Sequence, residues 1–391
     1  MELVELGEIS KFSQGQQVSL SEQKKERFEN SDVFLRIVNY TQNSDEYRYI
    51  KRQPEKYHIK KDDIIMVRYG AVGFVGRGYE GVLANNMFKI DNDKSIINND
   101  YLFYVLNSKK IQNKILHFAQ STSMPAISFK TIKSLKIPLP SLAEQKRIAG
   151  ILDEADKLRQ LNKQLISKYE QLSQSLFLEM FGDPVTNPKD WETKTIEDLI
   201  KSEKFALKRG PFGGALKKEI FVEEGYLVYE QFHALNNDFS FERYFINEKK
   251  YEELKGFSVK PKDIIISCSG VYLGKLAEIP EGAKKGIINQ ALLKVSLDEK
   301  KMRNDFFIFH FTQERFKQTF FDSNRGAGIP NFPPMKEFKK FPFISPPISL
   351  QTQFAERVQL IEQQKVQAQE ALQKSEDLFN VLLQKAFKGE L

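Results

Sequence analysis

Residues 138–160 read PLPSLAEQKRIAGILDEADKLRQ, and a faint copy, PPISLQTQFAERVQLIEQQ, returns at 346–364. In both, a proline-containing segment gives way to a long charged run. In the first, Pro138 and Pro140 precede Ser141, and Glu144 follows three residues later. Ser141-x-x-Glu144 is the pattern of a capping box, in which hydroxyl and carboxylate each satisfy a backbone N–H at a helix start. Apolar residues then recur at steps of three and four: Ile148, Ile151, Ala155, Leu158, Leu165, Tyr169, Leu172 and Leu176, with Asn162 at an a position. Such an a/d seam predicts a coiled-coil helix. Leu152, Leu161 and Ile166 widen the stripe and predict a further contact. Phe181-Gly182-Asp183-Pro184 ends the helix with glycine and then proline. Its length is about 60 Å at 1.5 Å per residue. The second helix starts near Ser349, with a seam of Val358, Ile361, Lys365, Ala368, Leu372, Ser375, Phe379, Leu382 and Ala386. Polar seam residues such as Asn162 and Lys365 fix register at some cost in stability.

Working outward, the whole chain is written twice. MELVELGEIS at 1–10 lies against WETKTIEDLI at 191–200, pairing Leu6 with Ile196 and Ile9 with Leu199. IKKDDII at 59–65 matches VKPKDII at 259–265, and Gly70 then falls on Gly270. Met124-Pro125 meets Ile329-Pro330, and PLPSLAEQ at 138–145 meets PPISLQTQ at 346–353. Four matches in one order define two homologous halves, too long a period for a solenoid. The expected division is a globular domain at 1–140, a helix at 141–182, a second domain at 183–347 and a second helix at 348–391. Repeats related by a pseudo-two-fold axis pair their helices antiparallel, so the expected fold is α+β (mixed α/β), with two homologous domains separated by an antiparallel coiled coil that acts as a spacer.

The chain has 391 residues, 41% hydrophobic and 28% charged, which suits two or three ordered domains. No apolar run reaches the roughly 18 residues of a membrane span. The first residues carry acids and no basic-then-apolar signal, and a single cysteine, Cys268, excludes an internal disulfide. These features lead us to expect a cytoplasmic protein. The net charge of +7 is compatible with a polyanionic partner.

Within the domains, FLRIVNY (34–40), DIIMVRYG (63–70), YLVYEQF (226–232) and DIIISCSG (263–270) read as strands, and 101–118 and 304–321 as helical. Polar and basic residues cluster at the expected turns. The first domain offers Lys11, Gln14, Gln16, Arg36, Asn39, Tyr40, Arg68, Tyr69 and Arg77. The second offers Lys208, Arg209, Gln231, His233, Ser269, Tyr272, Lys275 and Arg325. Arginine bonds guanine in bidentate fashion and Asn or Gln bonds adenine, while loops such as STSMP (121–125) and NRGAGIP (324–330) suit phosphate contacts. These residues are the candidate DNA-binding set.

Catalytic patterns are missing. The four histidines are scattered and Cys268 stands alone, so no metal site is expected. There is no G-x-S-x-G elbow and no P-loop. The glycines of GAVGFVGRG (70–78) read as a turn region. Ser345-Pro346-Pro347-Ile348 lacks the aromatic residue that an adenine methyltransferase needs to stack a flipped base. The chain reads as non-enzymatic.

The segment MPAISFKTIKSLKIPLPSLAEQKRIAGILDEADKLRQ (124–160), then LFLEMFGDP (176–184) and WETKTIEDL (191–199), resembles the specificity subunit of type I restriction-modification systems. The likeness extends over essentially the whole chain, including its two-copy layout. It implies that each domain reads one half of a bipartite, asymmetric site in double-stranded DNA. It also implies that the helices set the gap and dock two modification (methyltransferase) subunits, and that restriction subunits join them. No cofactor is expected in this chain; S-adenosylmethionine would belong to the modification subunit. The docking and spacer residues expected are Gln145, Lys146, Arg147, Ile148, Ile151, Leu158, Asn162 and Leu165 on the first helix, and Val358, Ile361, Lys365 and Leu372 on the second. Competing readings are a fused or stand-alone methyltransferase or endonuclease, active alone, and a protein-only coiled-coil scaffold without DNA affinity.

Overall fold

The structure is a computed structural model that describes residues 2–42, 44–119, 126–321 and 331–391. The chain forms two compact units, one of residues 1–164 and 369–391, the other of residues 165–368. Each holds one copy of the repeat and one half of each long helix.

The first unit opens with Leu3–Glu5, paired antiparallel with Lys136–Pro138, and a one-turn helix Leu6–Ile9. Two four-stranded sheets follow. One has the order Ser10–Gln14, Met87–Asn92, Ile64–Val67, Val75–Gly76, and is antiparallel throughout. The other has the order Arg48–Lys51, Ser31–Leu35, Gly81–Leu83, His58–Ile59, with a parallel pairing of Phe34 to Val82 and Leu35 to Leu83. The run Ile64–Val67 shows why both faces must be covered. Its four side chains are all buried, and they alternate, as strand geometry requires. Ile64 and Met66 join the core under helix Asn99–Asn107, while Ile65 and Val67 join the core of the other sheet. Asp63 starts the strand by accepting from Lys60 N at 2.9 Å.

The second unit repeats this plan. Thr193–Lys194 pairs with Phe343–Ile344, and the sheets run Leu207–Arg209, Leu292–Val295, Ile264–Ser267, Leu276–Glu278 and Phe245–Ile246, Tyr226–Tyr229, Gly286–Ile288, Ser258–Val259. Asp263 takes the place of Asp63, accepting from Lys260 N at 2.8 Å. Gly70 and Gly270 both have positive φ, +97° and +75°, so the match between 59–70 and 259–270 holds in three dimensions. This core is phenylalanine-rich: Phe177, Phe181, Phe306, Phe307, Phe311 and Phe354 are all fully buried.

Two of the expected strands are interrupted. FLRIVNY leaves the sheet at Leu35 and becomes helix Ile37–Thr41; YLVYEQF leaves at Tyr229 and becomes helix Gln231–Asn236. The reason is the side chain three residues beyond the break. Asn39 Oδ1 accepts from Arg36 N at 2.8 Å, and His233 Nδ1 accepts from Glu230 N at 2.9 Å. Each caps a backbone N–H that a continuing strand would have paired.

The long helices are Leu142–Phe181 and Ile348–Lys388. The first ends as expected, with Gly182 at φ +79° and its N–H bonded to Leu178 O at 2.8 Å. Its start differs. Glu144 N donates to the Ser141 hydroxyl oxygen at 3.3 Å, but the Glu144 carboxylate turns to Arg147 at 2.7 and 2.9 Å, so only half of the capping box forms. Within the first unit the helices pair antiparallel through Asn162 Nδ2 to Ser375 Oγ (3.3 Å), Lys163 to Glu376 (3.4 Å) and Arg159 over the Phe379 ring (4.0 Å). Within the second, Lys365 pairs with Glu170 at 3.3 Å and Phe354 packs on Phe177 and Phe181. The second helix uses the expected seam: Val358, Ala368, Ser375, Phe379 and Ala386 are buried, and Ile361, Lys365, Leu372 and Leu382 half-buried. The first does not. Leu158, Leu165 and Leu172 are exposed, the last at 49%, while Leu152, Arg159, Ile166 and Ser173 turn inward. An a/e stripe has the same three-and-four spacing as an a/d stripe, and packing against the facing elements selects between them.

Candidate nucleic-acid interface

In each domain both sheets send strand ends to one edge, and there polar side chains collect. In the first domain, Ser10–Gln14 ends at Gln14, and Gly15 follows so close to the connection at 83–86 that a Cβ would lie 2.2 Å from Ala84 O. Only glycine fits there. Gln14 donates from its amide to Asn85 O. Arg68, just past strand Ile64–Val67, donates to Gln14 Oε1 at 3.0 Å and to Ile127 O at 3.1 Å, and lies 5.5 Å over the Phe129 ring. Arg68 N bonds Asn86 O at 2.8 Å, so residues 14, 68, 85 and 86 form one cluster. Tyr69 is beside it, more than one-third exposed. Gln16 is tied in by its N–H to Leu83 O at 2.7 Å.

In the second domain Gly210 is the counterpart of Gly15, with a virtual Cβ 1.8 Å from Asn289 O. Gln231 donates to Ser267 Oγ at 2.7 Å and to Ser269 O at 2.8 Å, linking the two sheets. Ser267 N bonds Lys275 O at 2.7 Å, and Lys275 N bonds Tyr272 O at 3.1 Å, which puts Lys275 and the exposed Tyr272 beside the same edge. Burial pushes the Cys268 thiol up to about 12 against the opposing pull of the Arg209 guanidinium. Arg209 itself lies 5.3 Å from the ring of Phe212, which is 69% exposed. Lys208, its neighbour in the strand, points to the other face and sits over Phe205 and Phe257.

Several expected contact residues are used inside the protein instead. Asn39 is fully buried, with Nδ2 donating to Ser44 O at 2.7 Å and Oδ1 used as the cap. Tyr40 is buried with its ring 4.8 Å from Tyr79. His233 is buried and its Nε2 meets Phe241 O at 2.9 Å. Arg77 pairs with Asp100 and, at 2.7 Å, with Asp153, and lies 4.3 Å over Phe103. Burial opposes its charge, but Asp153 and Asp100 outweigh that and hold the guanidinium above its ordinary value. Arg77 therefore clamps the first domain to the first helix. Lys11 is exposed at the far end of its strand, about 10 Å from Gln14. Arg325, with the segments 121–125 and 324–330, lies outside the described residues.

Glu230 is an edge residue that its sequence context does not mark. Arg36 and Glu230 occupy the same framework position, before the helices Ile37–Thr41 and Gln231–Asn236. Arg36 donates to Glu46 O at 2.7 Å, with Nε buried and unpartnered; Glu230 has a buried, unpartnered Oε2, and burial raises its carboxyl. Only the register of the two copies reveals this exchange of charge.

On the helices, Gln145 is not a docking residue. It is fully buried, accepting from Asn98 N at 2.8 Å and donating to Ile96 O at 3.0 Å and Pro140 O at 2.9 Å. Gln351 does the same in the second unit, with Arg303 N at 2.9 Å and Pro346 O at 2.8 Å. Gln145 therefore corresponds to Gln351 rather than Gln353, and the copy at this point runs two residues earlier than the sequence match placed it. Ile148 is likewise buried in its domain's core, and Ile151 is half-buried. Lys146 and Arg147 are exposed; Arg147 is occupied by Glu144 and by Leu391 O at 2.6 Å.

Comparison with known proteins agrees with this two-copy architecture. The family model for the type I restriction modification DNA specificity domain matches residues 1–171 and again 188–375. The MjaVIII specificity subunit of Methanocaldococcus jannaschii is 24% identical over 339 residues, 81% of this chain and 76% of that protein. The MjaIX specificity subunit of the same organism is 23% identical, over 85% of this chain and 78% of that one. Among solved structures, the S subunit from M. genitalium aligns over 99% of this chain and 96% of its own with TM-score 0.54 and 16% identity. A chain from a type I R-M system studied for complex assembly aligns over 100% and 98% with TM-score 0.60 and 17% identity. With the specificity-domain model matched twice, the chain belongs to the type I restriction modification DNA specificity family, as a specificity subunit carrying two recognition domains.

Proposed function

We propose that each domain reads one half of an asymmetric, bipartite target in double-stranded DNA with the polar edge where its strands end. The observation that carries this reading is a shared framework with different residues in the same places: Gln14 and Arg68 in one copy, Arg209 and Cys268 in the other, and Arg36 against Glu230. A scaffold that repeats while its edge chemistry changes suits two different sequences read in one way. Exposed lysines such as Lys11 and Lys275 suit phosphate contacts, which make affinity fall steeply with salt.

The recognition domains would span 1–140 and 183–347. The helices at 141–182 and 348–391 would serve as spacer and as docking surface, with the exposed Leu158, Leu161, Leu172 and Leu360 available to apolar partner helices. Two modification subunits, which would bring S-adenosylmethionine and methylate adenine, and the restriction subunits complete the assembly in this reading, placed in the cytoplasm. Among the described residues no helix is long and apolar enough to cross a membrane.

The test is methylome sequencing of cells that express this chain with its modification subunits. A single asymmetric bipartite methylated motif, dependent on the chain, is the expected result. With active partners and no such motif, the reading fails. The purified chain alone is expected to neither methylate nor cut DNA.

A further inference from the structure

Arg209 touches the Phe212 ring but has no hydrogen-bond or ion-pair partner among the described residues. Among the described residues its guanidinium meets no carboxylate and donates no hydrogen bond, whereas Arg36, Arg68, Arg77, Arg303 and Arg315 are held by Asp or carbonyl partners. Its Nε is closed off from solvent and unpartnered. A half-buried cation without hydrogen bonds costs free energy that a ligand acceptor would restore. Its backbone is fixed, because Gly210 packs against Asn289 O and its own N–H bonds Leu292 O at 2.8 Å. Its neighbours are the buried Cys268 and the exposed ring of Phe212.

The first domain supplies the comparison. Arg209 lies opposite Leu293 as Gln14 lies opposite Phe88, and Cys268 follows Ser267 as Arg68 follows Val67. The same edge therefore holds an arginine in both domains, delivered from different strands. In the first, Arg68 has Nε and one Nη already committed to Ile127 O and Gln14 Oε1. In the second, among the described residues, no guanidinium nitrogen of Arg209 has a hydrogen-bond partner.

We propose that Arg209 is a specificity-determining residue of the second domain and that it reads a guanine, the base whose O6 and N7 accept two parallel bonds from a guanidinium. This rests on the proposed reading of half-sites by the domains.

The experiment is the methylome of full-length chain and modification subunits, with wild type, Arg209→Gln and Arg209→Lys. In both variants one guanine of one half-site should become degenerate, with the other half-site and the gap unchanged. The expected loss of discrimination at that position is roughly 5- to 150-fold, from about 1–3 kcal/mol per bidentate pair. Lysine keeps the charge but not the fork, so it separates base reading from phosphate contact. A motif identical in wild type and Arg209→Lys, with methylation uniformly weaker or absent in Arg209→Gln, overturns the assignment, since a phosphate contact or a folding role then suffices. If Arg209→Gln fails to accumulate, the lysine variant alone decides, by a degenerate or an unchanged position. A wild-type chain that directs no bipartite motif overturns the half-site reading and this assignment with it, whereas an unchanged motif overturns this assignment only.

Discussion

Replacing Gln145 with alanine tests how the first long helix is joined to its domain. The side chain is fully buried and spans three backbone groups: Asn98 N at 2.8 Å, Ile96 O at 3.0 Å and Pro140 O at 2.9 Å. Asn98 is also the N-cap of helix Asn99–Asn107, with its Oδ1 receiving Tyr101 N, so the bond ties one helix start to another. Stranding the Asn98 N–H costs about 1–3 kcal/mol, and each orphaned carbonyl adds about 0.5–1.5 kcal/mol. Gln145→Ala should therefore cost the first unit about 2–6 kcal/mol, whereas exposed Lys146→Ala should stay within about 0.5 kcal/mol. Gln145→Glu keeps the acceptor for Asn98 N but aims a carboxylate at two carbonyls, and should be no milder than alanine. Gln351→Ala, with one N–H and one carbonyl to strand, should cost about 1.5–4.5 kcal/mol. Hydrogen exchange of residues 94–106 and 141–152, together with urea titration of the full chain, reads these effects. Gln145→Ala and Gln145→Glu indistinguishable from Lys146→Ala would refute the latch.

Arg77→Ala breaks the clamp to Asp100 and Asp153 and leaves the Tyr104 hydroxyl alone on Asp153. With Asp153 partly exposed, the expected loss is about 2 kcal/mol, and the methylated motif should keep every base; a changed base would return Arg77 to the DNA-contacting set. His310 is enclosed by Phe306, Phe316 and Phe343 and accepts from Ile344 N at 3.2 Å. Burial holds its pKa at about 3 against 6.5 for an ordinary histidine. Below 6.5 the unfolded chain takes up a proton that the folded one refuses. Its contribution is thus fully present above that pH and declines toward pH 3 by at most about 1.4 kcal/mol per unit. The urea midpoint of wild type should fall more steeply over that window than that of His310→Gln, and parallel pH profiles would contradict this. Leu158→Ser with Leu161→Ser removes exposed apolar area. Stability should move by about 0.5 kcal/mol or less, while co-purification with the modification subunits weakens; undiminished assembly would place docking elsewhere.

How much of this was legible in the sequence follows from the range of each interaction. PLPSLAEQKRIAGILDEADKLRQ declared a helix start through proline placement and a heptad-like repeat, and Gly182 and Pro184 declared its end, because caps and periodicity act within a few residues. The apolar runs within 63–70 and 263–270 announced strands for the same reason. Two copies in the same order established the duplicated fold. Other features depended on partners distant in the chain. The inward turn of Leu152 and Ile166 in place of Leu158 and Leu165 was settled by what packs against that helix. Gln145 looked like part of a charged face, yet three backbone groups at residues 96, 98 and 140 require it inside. FLRIVNY carries strand propensity throughout, but Asn39 captures the Arg36 N–H and bends the chain away. The arginine at the polar edge sits at position 68 in one copy and 209 in the other. Composition supplied both, but only the pairing of strands across the sheet brought them to the same place, because register is a property of two chain segments and neither one encodes it alone.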